Sequence, residues 1–138
     1  MTLRNLAQLL KNMEPKMADG EYYFACVDES GLMELANYLD YIIAIFKEEE
    51  GLTVIFSGEA KDEISQLTEK KIEGPFALIT LAINSDLMAV GFLAKITEAL
   101  AKEKISVNAI SAYHHDHLLV PYDKKEEAIH TLKQLQKS

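Results

Sequence analysis

The sequence predicts an α+β protein, an antiparallel sheet with its helices on one face, and three observations carry that prediction. Hydrophobic periodicity changes along the chain between the two-residue repeat of strands and the 3.6-residue repeat of helices. From residue 76 the order of expected elements is strand, helix, strand, strand, helix. Residues 21–70 run through a weaker version of that order: strand, uncertain segment, strand, strand, helix. Either half alone would bury little core, so one plan used twice is expected to share a sheet or pack face to face. The expected division is 1–70, a degenerate unit with a leading helix, and 71–138.

The elements follow in order. Residues 3–12 read as a helix with Leu3, Leu6, Leu9 and Leu10 on one stripe, closed by Pro15 and the "ADG" at 18–20. "EYYFACV" at 21–27 is aromatic and β-branched and reads as a strand. "ESGLMELANYLD" fits a short helix or a loop. "YIIAIFKEEEGLTVIFSG" reads as a hairpin across an acidic turn, and "EAKDEISQLTEK" as a short polar helix with Glu59 and Asp62 at its dipole-favoured start. "FALITLAIN" at 76–84 is apolar enough for a central strand. "SDLMAVGFLAKITEALAKEK" places Leu93, Ile96, Ala99 and Leu100 on one face of an amphipathic helix. "ISVNAISAY" and "HLLVPY" are two short strands. "DKKEEAIHTLKQLQKS" is a helix with Asp123 expected as N-cap and Ile129, Leu132 and Leu135 as its buried stripe.

Composition narrows the function. Apolar residues are 49% and charged residues 26% of the 138, the balance of a folded globular protein. No apolar run approaches the roughly 20 residues of a membrane span. The N-terminal "MTLRNLAQLLKNMEPK" lacks a long apolar core and a small-residue cleavage site, so it is expected to belong to the mature fold. The single Cys26 cannot form an internal disulfide, which points to a reducing, cytoplasmic setting. The net charge of −8 lies entirely in residues 1–70, while 71–138 balance to zero. No basic patch exists for a phosphate backbone, so nucleic acid is not an expected partner.

Two stretches carry candidate chemistry. In "NSDLMAVG" at 84–91 a strand feeds a helix, whose first N–H groups and partial positive charge suit a carboxylate. Ser85 or Asp86 could instead cap that helix and use the same donors internally. Gly91 would admit a ligand where a side chain would block it, or it marks a tight helix–sheet contact. In "AYHHDHLLVP" at 112–121, three of the four histidines surround Asp116. If the strand runs straight, His115 and His117 share one face and His114 and Asp116 the other. A His-x-His pair can hold zinc but needs a third ligand, and neither His130 nor Cys26 has an evident reason to supply it. The competing reading is a hairpin tip that hydrogen-bonds its neighbours. Asn108, within an apolar strand, either contacts a ligand or ties down backbone. There is no G-x-S-x-G, Gly-rich phosphate loop, H-E-x-x-H or C-x-x-C, so neither catalysis nor a cofactor is expected.

Over residues 76–136, the strand "ITLAIN", the turn containing Asp86, the glycine at 91 and "KEKISVNAIS" resemble an ACT domain, the small ferredoxin-like βαββαβ module that binds amino acids in metabolic regulators. "KEKISVNAIS" is similar to the "G-I-x-V-x-x-I" strand of aspartate-kinase regulatory domains. Residues 1–70 resemble a degenerate partner unit, and the whole chain is similar to a bacterial family of paired (tandem) ACT domains; related paired-ACT proteins in eukaryotes sense arginine. Two features depart from the pattern: "SDLMAVG" replaces the usual "D-x-P-G", and no strand follows the last helix. The resemblance implies a regulatory protein, not an enzyme, binding an amino acid or similar small polar ligand between units. It implies a homodimer or higher homo-oligomer. The implied ligand-binding residues are Asn84, Ser85, Asp86, Val90, Gly91 and Phe92 of the turn. Asn108 is implied as a polar contact, with His114 and His115 bordering the cleft. The alternatives are a metal site on His114, His115, Asp116 and His117, or a ligand-free interaction module.

Overall fold

The computed structural model describes residues 5–138. The expected place of Leu3 in the first helical stripe lies outside them. The chain divides into two units: one joins residues up to Asp19 with Ala77–Ser138, and the other is Gly20–Phe76. The smaller unit is therefore an insertion in the sequence of the larger.

The larger unit begins with helix α1 (Leu6–Asn12) and strand β1 (Pro15–Met17). Asn5 caps α1 by accepting the Gln8 N–H at 3.1 Å, satisfying one of the donors a helix start leaves open. Strand β5 (Glu73–Leu81) enters this unit at Ala77, followed by α4 (Phe92–Lys102), β6 (Asn108–Ser111), β7 (Asp116–Pro121) and α5 (Lys125–Lys137). Its strands lie in the order β1–β5–β7–β6. Pro15, Lys16 and Met17 pair antiparallel with Leu81, Thr80 and Ile79, so β1 supplies from the N-terminal side the strand expected after α5. That pairing, with Leu9 and Met13 fully buried, explains why α1 and β1 fold with the C-terminal segment.

The core of this unit sits between one sheet face and the three helices. Ile79 and Leu81 of β5 and Leu118 and Val120 of β7 meet Ile96 and Leu100 of α4 and Leu132 of α5, all with no exposed surface. Burying one such side chain contributes about 1.5–3 kcal/mol. Of the stripe expected on α4, Ile96 and Leu100 are fully buried and Leu93 packs partly buried against the core, while Phe92 joins the buried face. Helix α5 starts later than expected, because Tyr122–Lys124 form a 3₁₀ turn first. Asp123 consequently lies inside that turn; the N-cap position falls to Lys124, which makes no side-chain cap.

The smaller unit holds β2 (Tyr22–Val27), α2 (Leu32–Leu35), β3 (Ile42–Glu48), β4 (Gly51–Ser57), α3 (Lys61–Ser65) and the start of β5. Its strand order is β5–β2–β4–β3. The expected hairpin is present, with Glu48 opposite Gly51 across Glu49 and Glu50. The ambiguous 29–40 segment is helical in pieces: 3₁₀ at Glu29–Gly31, α2, then 3₁₀ at Ala36–Tyr41. The polar helix is shorter than expected, opening as a 3₁₀ turn at Gly58–Ala60 and ending at Ser65. Val27, Leu35, Val54, Phe56 and Ile64 form a separate, fully buried core. Each unit thus has the strand–helix–strand–strand–helix plan plus one further antiparallel strand, giving two tandem ferredoxin-like units.

Candidate functional site

The turn between β5 and α4 takes seven residues, 85–91, out of the helix expected there. Asp86 nucleates it: its Oδ1 accepts the Met88 N–H at 2.7 Å and its backbone carbonyl accepts the Ala89 N–H at 2.9 Å. The segment ends at Gly91, whose φ of +90° no ordinary L-residue adopts without strain. A Cβ placed there would meet only Leu6 Cδ2 at 3.6 Å, an ordinary contact. Backbone conformation, and neither ligand clearance nor helix–sheet crowding, sets the need for glycine.

Because Gly91 is the N-cap, helix α4 begins without a side-chain cap. Neither Ser85 nor Asp86 takes that role. Ser85 Oγ donates instead to Asp116 Oδ2 at 2.9 Å, tying the turn to the first residue of β7. The N–H groups of Phe92, Leu93 and Ala94 belong to the turn of a helix that leaves donors outward and a partial positive charge behind them. These residues line a pocket of about 140 Å³ with Ser85, Asp86, Leu87 and Ala89 of the turn, Gly91, and Ser111 and Asp116 of the β6–β7 hairpin.

Of the residues expected in a site, Ser85, Asp86, Gly91 and Phe92 line this pocket. Asn84 immediately precedes it; its Oδ1 is buried with no hydrogen-bond partner among the described residues. Val90 is 83% exposed and outside the lining. Asn108 is exposed on β6, opposite Leu119, and also outside it. His114 stacks edge-on against Tyr113 at 4.8 Å and is exposed, and His115 is half-buried; neither lines the pocket.

Asp116 is the residue that the ligand reading of the sequence missed. It is 5% exposed although charged. The signal was strand alternation: Asp116 shares its face with Leu118 and Val120, both in the core. A carboxylate on the core-facing side of a strand requires a partner. Ser85 Oγ is a neutral one, and no cation lies within ion-pair distance among the described residues.

The histidine cluster is split by the same alternation. His117 points away from Asp116's partner and shares a hydrogen bond with Thr80 Oγ1 at 2.9 Å through its Nδ1. Burial, reinforced by nearby His115 and opposed by Asp116, holds its pKa below the usual imidazole value. With Asp116 on Ser85 and His117 on Thr80, the expected metal alternative does not assemble. No group of three His, Cys, Asp or Glu side chains among the described residues is placed to hold an ion.

The corresponding strand-to-helix turn of the smaller unit is shorter, and its Asp28 carboxylate is engaged within the turn. Asp28 Oδ2 accepts the Ser30 hydroxyl at 2.6 Å and the Ser30 N–H at 3.3 Å, which hold its pKa low. The depression beside it, about 410 Å³, is lined by Asp28, Glu50 and Glu69 with Lys70, whose Nζ donates to Cys26 Sγ at 3.6 Å. Three carboxylates against one ammonium disfavour an acidic ligand group there.

Comparisons with known proteins bear on the family and the fold. Profiles described as ACT domain match residues 73–134 and residues 2–70. Among solved structures, the chain is similar to a Vibrio cholerae protein of unknown function described as a possible transport protein. The identity is 35%, the coverage 95% of each chain and the TM-score 0.76. The regulatory subunit of aspartate kinase from Thermus thermophilus matches at 10% identity over 91% of this chain and 98% of its own, with a TM-score of 0.68. That from Thermus flavus matches at 9% identity over 88% and 95%, with a TM-score of 0.65. At such identities these two speak for the fold alone. No curated protein matches the sequence.

Proposed function

The chain belongs to the ACT-domain family, and on that premise we propose that it is a small regulatory protein that binds an amino acid or similar small polar ligand at the start of α4. The observation that carries the reading is the pocket between an uncapped helix N-terminus and a buried carboxylate. One end suits a ligand's α-carboxylate and the other is anionic, so the pocket has the polarity of a zwitterion's complement. Its action is ligand-stabilised packing of the turn 84–91 against the β6–β7 hairpin, with no catalysis.

Cytoplasmic residence suits the free Cys26. No helix among the described residues is long and apolar enough to cross a membrane. Self-association is part of the same proposal. Strand β3 ends its unit's strand order and exposes Ile43, Ile45 and Phe46, the last at 70%. An open edge with apolar side chains is a surface a second copy would cover. Sedimentation equilibrium should therefore give a dimer or larger species, and a monomer at all concentrations would contradict this part.

Binding is tested by thermal denaturation of the full chain against each of the twenty amino acids at millimolar concentration. One or a few should raise the melting temperature, since ligand at a hundred times its Kd adds about 2.7 kcal/mol to stability. No response to any of them overturns the proposal.

A further inference from the structure

We propose that Asp116 is the residue that selects the ligand: it reads a primary ammonium, and the pocket takes small amino acids of about alanine to serine size. The inference rests on the pocket proposed above and goes beyond it by naming the contact and the ligand class. Asp116 and Ser85 are 5% and 9% exposed, both nine-tenths buried or more, and both line the pocket.

A carboxylate this buried is held in place by a single neutral donor, the Ser85 hydroxyl on Oδ2. Among the described residues no cation pairs with it. A carboxylate drawn largely out of water gains from a cation beside it, and a ligand can bring one where no described residue does. The Ser85 bond fixes the carboxylate's orientation and leaves Oδ1 unclaimed by any hydrogen bond among the described residues. An ammonium is the matching donor, compact and able to serve Oδ1 while its other hydrogens face Ser111 and the turn.

The opposite wall is the start of α4, where the N–H groups of Phe92, Leu93 and Ala94 meet no side-chain cap. A ligand bridging the two walls needs an anion at one end and a cation at the other. Size narrows the class further. The pocket's 140 Å³ compares with the cavity of about 150 Å³ that takes benzene, a molecule of about six heavy atoms. Alanine has that size and serine slightly more. Leu87, Ala89, Phe92 and Leu93 leave an apolar wall for a short side chain.

Calorimetric titration of the full chain with glycine, L-alanine and L-serine, and with propionate and ethylamine as half-ligands, tests the assignment. The amino acids should bind, while propionate, which lacks the ammonium, should bind at least tenfold more weakly. Asp116→Asn keeps an acceptor for Ser85 and removes only the charge, so it should weaken alanine at least tenfold. Propionate should be no weaker in that variant than in the parent. Ser85→Ala is the second variant, freeing the carboxylate without removing it, and should weaken alanine less than Asp116→Asn does. Propionate binding as tightly as alanine overturns the assignment, and so does unchanged alanine affinity in Asp116→Asn. Binding only of large amino acids overturns the size class. If no amino acid binds the parent chain, the pocket reading itself has failed; if alanine binds the parent and Asp116→Asn alike, only the role of Asp116 has.

Discussion

The two units solve the same local problem in opposite ways. Each must pass from its first strand into a helix. In the smaller unit this takes Asp28–Gly31, and the turn closes on Asp28: Ser30 is bound twice to its carboxylate, and the Gly31 N–H donates to its carbonyl at 2.8 Å, while Glu29 reaches out to Lys47. In the larger unit the passage takes 84–91, and the turn's own bonds stop at Ala89, leaving α4 to start on Gly91 without a cap. A turn that satisfies itself has nothing to offer a ligand. A longer turn pinned from outside by Ser85 to Asp116 leaves donors and a buried charge facing one small space. The same scaffold thus appears twice with two different turns, and the binding proposed above draws on only one of them.

The comparison can be broken hardest at the cores. Phe56→Ala should cost about 3–5 kcal/mol, read by urea unfolding, and Ile96→Ala about 2–5 kcal/mol, both residues being wholly buried. If the units differ as described, Phe56→Ala should leave the alanine-induced thermal shift in place, because no pocket residue belongs to its cluster.

The two glycines separate the turns more finely. A Cβ at Gly31 would sit 2.7 Å from Val27 Cγ1 in a backbone conformation that any residue tolerates. Gly31→Ala should therefore cost about 1–3 kcal/mol by crowding. At Gly91 space is adequate and φ is the obstacle, so Gly91→Ala should cost about 1–2 kcal/mol. Gly91→Asn should recover part of that loss, and Gly31→Asn none. Equal rescue at both positions would erase the distinction.

The smallest effect expected is a pH dependence confined to the larger unit, which holds all four histidines. Burial first, then His115, depress the pKa of His117 below the ordinary imidazole value of 6.5, against the pull of Asp116. The folded state thus binds a proton less readily than the unfolded chain. Stability should be whole above pH 6.5 and decline as pH falls below it toward the depressed folded value. His117→Gln should flatten the melting temperature across that window, while His130→Gln, on the exposed side of α5, should not.

Much of the fold was readable from residue order. Ile79, Leu81, Ile96, Leu100 and Leu132 follow their periods into one core, and β3–β4 fold as the hairpin their sequence spells. The strand missing after α5 was not readable as β1, because three residues of Pro-Lys-Met carry no periodicity and pair only through a long-range register. The helix at 85–104 was overextended because Leu87, Met88 and Val90 look like a helical face, yet they are 62%, 72% and 83% exposed. Asp86 turning on Met88 overrides that pattern. In the site, turn residues Ser85, Asp86, Gly91 and Phe92 were visible as a strand-to-helix signature. Asn108 was misjudged because β6 is exposed along most of its length, so its apolar neighbours did not signal a core face. Asp116 was masked by the three histidines around it, which drew the chemistry toward a metal and away from a single buried carboxylate.

The central claim is that one turn of the two is built to bind. Backbone amide NMR of the full chain titrated with L-alanine addresses it directly. The account predicts progressive shifts at Ser85, Phe92, Leu93 and Ala94 and at Asp116, with Asp28–Gly31 unmoved. Shifts at Asp28–Gly31 with the start of α4 unchanged would contradict it.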